Sequence, residues 1–486
     1  MVASEDETQQ KGLFGLAKGF PTILGTEFAE RFSYYGMKAI LLYYIINTAA
    51  QGGLGLPRAD GVAISSLYGA LIYMSTILGG WLSDRIFGSA RIVTIGGVFI
   101  LAGHIVLALP FGEAALLGSL ALLIIGTGML KPNVSTLVGS VVKDDKDANV
   151  AFSLFYVAIN IGGFLSPIVV STLQTRYGFH IAFSAAAIVM GIGLAIYSWG
   201  YARYLRHNIT ISAPNPIKKS ERAKVLWIAI GLFVLGVVAF FVSVATKTFS
   251  VQALSNLVTI AAVLLTVYYF TRILTSKLVT SGEKRKVVAY IPVFMSGVAL
   301  WAVQEGGGTI VAEFVTRSNH NFVGFKIADA MIQSINPFVV VFGTAIMAVV
   351  YKVFADKLPN LFQRYAIGIA LVGVSYLLLL QPAMSGNGFS ANWIVLSLGV
   401  VAFGEVLISP ISLAVTNRLA PKAFESQMMA IWFLSNSVGQ GLNASLSGFY
   451  LKHTALYFGI YAAVPLLFGV ALIMFSKQLT AMIGED

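Results

Sequence analysis

Fourteen runs of about twenty mostly apolar residues follow one another along this chain, and a membrane-spanning helix needs about that length. They lie roughly at 21–50, 60–82, 91–111, 113–140, 148–173, 181–205, 222–244, 252–278, 287–313, 329–355, 362–381, 391–418, 425–451 and 455–477. One aqueous core does not hide that much oil. In hydrocarbon each backbone group must be bonded within its own structure, so long apolar runs become helices. Of the 486 residues, 57% are hydrophobic and only 11% are charged, against about 25% charged in a soluble domain. The sequence therefore predicts an all-α polytopic membrane protein. Residues 1–19 are polar, with acids in "SEDET", and lack the apolar stretch of a cleavable signal.

Charge placement supports the count. With a cytoplasmic N-terminus, twenty-three of the 32 Lys and Arg fall in loops and helix ends on the cytoplasmic side. Six fall on the other side: Arg58, Arg176, Lys247, Arg317, Lys326 and Lys452. Arg31, Lys38 and Lys131 lie within spans. That bias is the positive-inside pattern, and an even number of spans puts both termini in the cytoplasm of a plasma-membrane protein. It also accounts for the net charge of +11 without nucleic acid. The densest basic stretches, "RYLRHNITISAPNPIKKSERAK" and "TSGEKRK", bracket the seventh and eighth spans, which carry no embedded charge. These two read as an inserted hairpin. The division expected is an N-terminal six-helix bundle at 1–205, the hairpin and its linkers at 206–286, and a C-terminal six-helix bundle at 287–486. A shift of 276 residues brings Tyr156 onto Trp432 and Asn160 onto Asn436, and Glu30 to within one place of Glu305. The loops "SDRIFGSAR" and "ADKLPNLFQR" each carry an Asp, then a cation, then a later Arg. Such repeats place a binding site between the halves at the midplane.

The first span holds "GTEFAERFSYYGMK" at 25–38. On a helix, Glu27, Glu30, Arg31, Tyr34 and Lys38 share one face, with Tyr35 at its border. An unpaired charge at the bilayer centre costs about 2.5–3.5 kcal/mol on the mildest scale, so this stripe must face helices or water. Glu27 and Arg31 are an i,i+4 pair in the favourable order. One reading is an ion-pair knot that fixes packing. The other is a protonation switch: an arriving anion takes the cation, and the abandoned carboxylate takes a proton.

These residues resemble a known family. "EFAERFSYYG" is similar to the ExxER-F-x-YYG signature of the proton-dependent oligopeptide transporters, within the major facilitator superfamily. "FYVAINIGG" resembles the family's second signature and "GGWLSDRIFGSAR" the superfamily's loop motif. The likeness continues through "GMLKPNVS", "WAVQEGG", "SINPF" and "FGEVLISP". It implies a major facilitator fold with 12 core helices in two bundles and an inserted pair, 14 in all. It also implies that Lys131, inside the fourth span beside Pro132, binds substrate and takes part in coupling, and that Glu405 faces the substrate's amino group.

From the residues themselves, Glu405 needs a partner across the bundle, and Lys131 is the choice made here. Cationic Arg31, Lys38 and Lys131 opposite anionic Glu405 suit a zwitterion, and a dipeptide spans about 6–7 Å. Asn160 and Asn336 hold an amide or ammonium, or bridge helices. Tyr34, Tyr35, Tyr73, Tyr156, Trp301, Trp432 and Ser435 are placed at the pocket. Trp301, Gln304 and Glu305 share a face of the ninth span, and Glu27, Glu30 and Glu305, with Arg31, are the proton-coupling set. Lys131 and Glu405 also gate. Asp84, Arg85 and Arg91 hold the bundles in one state. Arg58 and Glu313 make an outer gate or an ordinary surface pair. His104 is a packed or interfacial residue, "EGGGT" a close-packing or hinge stretch, and "KDDKD" at 143–147 a solvated loop. No G-x-x-x-x-G-K-[ST] loop, H-E-x-x-H pattern or Cys/His cluster is present. The expectation is a proton-coupled symporter of di- and tripeptides, not an enzyme, with no cofactor, metal or obligate protein partner. The alternative is symport of another small anion such as nitrate or a carboxylated metabolite.

Overall fold

The computed structural model describes residues 16–142, 145–205, 213, 216–246, 250–354 and 359–484. Among them are fourteen helices of 19 residues or more, one for each expected span. They are α1 (Phe20–Ile46), α2 (Arg58–Leu82), α3 (Ser89–Ala108), α4 (Gly112–Ser140), α5 (Asp145–Tyr177), α6 (Phe179–Gly200) and α7 (Lys219–Ala245). The series continues with α8 (Val251–Thr275), α9 (Ser281–Gly306), α10 (Ile335–Val353), α11 (Leu361–Ser385), α12 (Asn392–Leu419), α13 (Glu425–Ser445) and α14 (Thr454–Ile483). Among the described residues, eleven segments are long and apolar enough to cross a membrane by length and composition alone. The other three are α1, α7 and α13. In α1 the cause is its four ionisable groups. In α13 it is a run of Ser, Asn and Gln, and α7 contains side chains outside the described set.

Local chemistry sets several helix ends. Thr280 and Glu283 form a reciprocal capping box on α9, and Asn360 and Gln363 do the same on α11, satisfying otherwise orphaned N–H groups. The ninth span is broken: α9 stops at Gly306, and a short helix follows at Ile310–Val315. The tenth enters through a tight turn at Asp329–Ser334. Between them Asn321–Phe322 pairs antiparallel with Phe325–Lys326 around Val323 and Gly324, both at positive φ, as a two-residue hairpin turn requires. Pro132 lies inside α4 without ending it. Asn133 Nδ2 donates to the Met129 carbonyl at 2.7 Å and reaches that of Gly79 at 3.4 Å, the kind of side-chain support that lets membrane helices tolerate proline.

Contacts divide the chain into two compact units. The first contains residues up to Ser33, then Ser75–Ile159 and Ser184–Ser255. Within it α3 packs on α4, and the buried Tyr197 hydroxyl donates to the Ala90 carbonyl at 2.9 Å. The second contains Tyr34–Met74, Asn160–Phe183 and Asn256 onward. There α11 packs on α12 and α14, and α9 on α12 and α13. Its core includes Phe314, Tyr376, Tyr450, Tyr457 and Phe458, in edge-on ring contacts. The boundary cuts α1 just after Ser33.

Two local expectations change. Residues 145–147, expected in a loop, are the first turn of α5, so the fifth helix starts earlier than its apolar run. His104 is a packed residue rather than an interfacial one, 1% exposed. Lys143 and Asp144, most of the basic stretch at 206–215, Lys247, and Asp356 with Lys357 lie outside the described residues.

Candidate functional site

The first half of the α1 stripe lies in the first unit. Arg31 Nε is 3.3 Å from Glu27 Oε1, the i,i+4 pair, and is also bonded to Glu30 Oε2. All three side chains are buried, Glu30 to 1% exposure. Two carboxylates on one guanidinium leave one negative charge in excess. Lys131, on α4, stands within electrostatic reach of Glu27 and brings the four groups to neutrality. Such a cluster has low solvation and depends on its internal bonds, so removing one member leaves an uncompensated buried charge.

The second half of the stripe lies in the second unit and makes bonds of longer range. Lys38 Nζ donates to Glu305 Oε2, 267 residues away on α9. The Tyr34 ring lies under the same ammonium, 5.7 Å from its centroid, a distance at which the ring face attracts a cation. Tyr34 in turn meets Tyr35 edge-on at 5.0 Å and Tyr68 at 6.3 Å. The lysine stem passes over the "EGGGT" break, where a Cβ on Gly308 would sit 3.2 Å from Lys38 Cε. That stretch is thus a site of close packing. The other oxygen of Glu305 receives Asn436 Nδ2 at 3.5 Å, and Gln440 Nε2 donates to Asn436 Oδ1 at 2.6 Å.

Glu405, on α12, accepts from Asn336 Nδ2 at 2.9 Å and from the Gln304 side chain. Both partners are neutral amides, and its nearby charged neighbour on α9 is the like-charged Glu305. Among the described residues of the second unit, Glu405 makes no ion pair with a cation. Trp301 and Trp432 meet edge-on at 6.5 Å. Their approach needs Gly297: a Cβ there would lie 2.7 Å from the Trp432 ring and 2.8 Å from Ser435 Oγ. Ser435 is wholly buried and donates to the Trp432 carbonyl at 2.6 Å, which places it in the α9–α13 seam. Asn160 is buried on α5, while Tyr73 on α2 and Tyr156 on α5 are half-buried.

At the start of α2, Arg58 Nη1 donates to Glu313 Oε1 at 2.7 Å and to Thr316 Oγ1 at 2.9 Å. Arg317 Nη2 and the Tyr450 hydroxyl donate to Glu313 Oε2 at 2.9 and 2.6 Å. Arg58, Glu313, Thr316 and Arg317 line an open cavity of about 750 Å³. At the far end of α2, Asp84 is exposed and Arg85 half-buried in a wide turn at Ser83–Phe87, and Arg91 is exposed. The Arg85 carbonyl accepts from the Ile217 N–H at 3.1 Å.

Sequence reasoning did not find Tyr450, Arg317 or Gln440 as parts of these clusters. It met Asn436 only as the repeat mate of Asn160. A signal existed for α13, where Asn436, Gln440 and Asn443 fall on one face at i, i+4 and i+7.

Residues 90–464 match the model of the POT family. The chain is 41% identical over 475 residues to the uncharacterized transporter YclF of Bacillus subtilis (strain 168), covering 96% of this chain and 95% of that one. It is 39% identical over 492 residues to a di-/tripeptide transporter of Lactococcus lactis subsp. cremoris, covering 98% of both. The crystal structure of a peptide transporter POT in complex with sulfate superposes with a TM-score of 0.93 at 39% identity, over 97% of each chain. The chain belongs to the POT family, is built on the major facilitator fold with its fourteen helices, and resides in a membrane.

Proposed function

We propose that this protein imports di- and tripeptides together with protons, by alternating access between bundles at 1–205 and 287–486. The observation that carries the reading is the contrast between two carboxylates of the second unit. Among the described residues, Glu305 pairs with a cation, Lys38, whereas the bonds of Glu405 go to amides. A peptide brings what each lacks. Its ammonium suits Glu405, and its carboxylate competes for Lys38 and Arg31. A simple anion such as nitrate offers Glu405 nothing, and the relative from Lactococcus lactis carries the di-/tripeptide name.

The coupling follows from charge. When the peptide carboxylate draws Lys38 away, Glu305 is left half-buried with Glu405 nearby, and ionised carboxylates so placed are unfavourable. Glu305 then takes a proton. Glu27 and Glu30 are placed to do the same when Arg31 turns to the substrate. Asn160, Asn336, Tyr34, Tyr35, Tyr73, Trp301 and Trp432 supply amide donors and ring faces. Release of the Lys38–Glu305 and Arg58–Glu313 pairs opens one side, with Lys131 and Glu405 answering on the other and Asp84 and Arg85 holding the opposite edge. The inward-positive charge bias supports a cytoplasmic position for both termini.

The test is uptake into liposomes of dipeptide, tripeptide, free amino acid and nitrate under an imposed pH gradient. Accumulation of the peptides alone, abolished by collapsing the gradient, is the expected result. Accumulation of nitrate, or of peptide without proton dependence, overturns the reading.

A further inference from the structure

A second cavity lies wholly within the second unit, apart from the charge clusters. It is an open groove of about 680 Å³. Ile335 and Phe338 of α10 face Leu396, Gly399 and Phe403 of α12 across it, and Phe322 of the hairpin closes one end. Among the described residues that line it, Ser334 alone has a polar side chain, and that hydroxyl is spent on the Phe164 carbonyl at 2.8 Å. The groove therefore offers nothing to a peptide or to water. Phe338 and Leu396 are about half exposed, at 49% and 51%. In a chain that resides in a membrane, what such side chains meet is lipid. The groove follows α12 from Val395 to Phe403, about 12 Å at 1.5 Å per residue. One leaflet's hydrocarbon is about 15 Å deep. Spread over that length, the volume gives a channel about 8 Å wide, too narrow for a helix of about 10–12 Å. Hydrocarbon tails, which have no side groups, fit.

We propose that this groove is a binding site for one phospholipid of the leaflet on the Lys326 side, its tails between α10 and α12 and its phosphate beside Lys326. The mouth is built for a headgroup boundary. Lys326 is exposed and precedes Ile327, which lines the groove. Val323 and Phe325, at the same hairpin, are 68% and 73% exposed, and apolar side chains next to a cation suit that boundary. The Val323 N–H donates to Asn392 Oδ1 at 3.2 Å, which ties the hairpin to the first residue of α12. Selection does not come from the hydrophobic effect, because lipid tails are already in oil. It comes from contact. A groove surrounds a tail on three sides, and an unfilled one forfeits those dispersion contacts. Gly399 leaves the room: a Cβ there would meet no atom within 4 Å. Glu405, two residues past Phe403, points around α12 away from the groove, so the lipid and the proposed peptide site occupy different faces of one helix.

The probe is phosphatidylglycerol with a diazirine in one tail, mixed into liposomes that hold the full chain. After irradiation, mass spectrometry of the digested protein maps where the tail attached. The exposed face of α14, with Val464, Leu467 and Val470, is the internal standard for ordinary lipid contact. Labelling of residues 331–339 and 395–403 is expected to exceed that of α14 about tenfold, the scale of the dozen or so added carbon contacts that a groove gives over a convex face. Gly399→Phe fills the groove and should bring its labelling down to the α14 level, while Gly399→Ala should leave it unchanged. Lys326→Gln should lower it about threefold, the scale of one surface charge on an anionic lipid. Even labelling of the groove and α14 in the wild type overturns the proposal, and that comparison decides the matter if Gly399→Phe does not fold. Enrichment that survives in folded Gly399→Phe overturns it too, as do cross-linked pairs of chains through the groove in place of lipid adducts. Labelling unchanged in Lys326→Gln overturns the headgroup contact.

Discussion

Arg31 and Lys38 stand two turns apart on α1, both buried and both bonded to carboxylates, yet their bonds differ in kind. Two partners of Arg31, Glu27 and Glu30, lie on the same helix. The carboxylate bonded to Lys38 lies 267 residues away on α9. The bonds within α1 travel with that helix through any movement. The bond to α9 exists only while α1 and α9 are together. A helix that carries both has one group suited to sensing charge and one suited to reporting conformation.

The largest effect is expected from breaking the local set. Arg31→Ala leaves two carboxylates buried without their cation, a change that costs about 3–5 kcal/mol in buried ion clusters. Thermal unfolding in detergent should register most of that, and uptake and counterflow should fall together. A variant that unfolds like the wild type would show that water reaches the cluster and that it is not a buried knot.

Breaking the long-range pair should act on transport more than on folding. Glu305→Gln keeps one acceptor oxygen for Lys38, sets its NH₂ against that of Asn436, and binds no proton. Gradient-driven uptake should fall about a hundredfold, the scale of losing an essential proton carrier, with counterflow much less affected. Wild-type uptake should rise as the outer pH falls, and the Glu305→Gln rate should be flat over the same range. Lys38→Met alone strands Glu305. Adding Glu305→Gln to it should recover stability but not coupling, since a buried pair removed whole is often close to neutral. Recovery of both would assign the pair a packing role.

That contrast also explains what the sequence disclosed. Fourteen spans were legible because apolar length is a local property, and the ends agree with the observed helices to a few residues. The Glu27–Arg31 pair was legible because helix periodicity puts i and i+4 together. Lys38–Glu305, and the Glu405–Asn336 bond across 69 residues, were not, because no spacing rule joins positions that only the fold brings together. The turn at Asp329–Ser334 was hidden inside an apolar run, since hydropathy is blind to which backbone bonds are made, whereas "EGGGT" marked a hinge stretch where the helix breaks after Gly306. The family resemblance did not say which oxygen of Glu305 faces which donor.

Packing at the long-range seam gives a smaller effect. Gly297→Ala on α9 pushes a methyl into the Trp432 ring and Ser435, and overpacking of this kind costs about 1–3 kcal/mol. The expected signature is a lower unfolding temperature and a weaker apparent peptide affinity with the proton-to-peptide ratio unchanged. A changed ratio would show that the α9–α13 seam sets coupling as well as shape.

The smallest effect comes from a carboxylate that has both kinds of partner. Glu313 is fully buried and bonded to Arg317, four residues on, and to Arg58, 255 residues back, with Tyr450 beside them. The Arg58 side chain is 51% exposed and that of Arg317 is 25% exposed. Solvent screens the first more, so Arg58→Gln should lower stability by no more than about 1 kcal/mol, and Arg317→Gln by more. Transport should rank them the other way. Arg317 moves with the short helix that carries Glu313, whereas Arg58 ties that helix to α2, and only the Arg58 bond has to break for the two to part. Peptide exchange rates for the two variants and their double mutant give the comparison directly. If Arg317→Gln changes the rate more than Arg58→Gln, sequence distance is not what separates a fixed pair from a working one, and the division drawn between Arg31 and Lys38 fails with it.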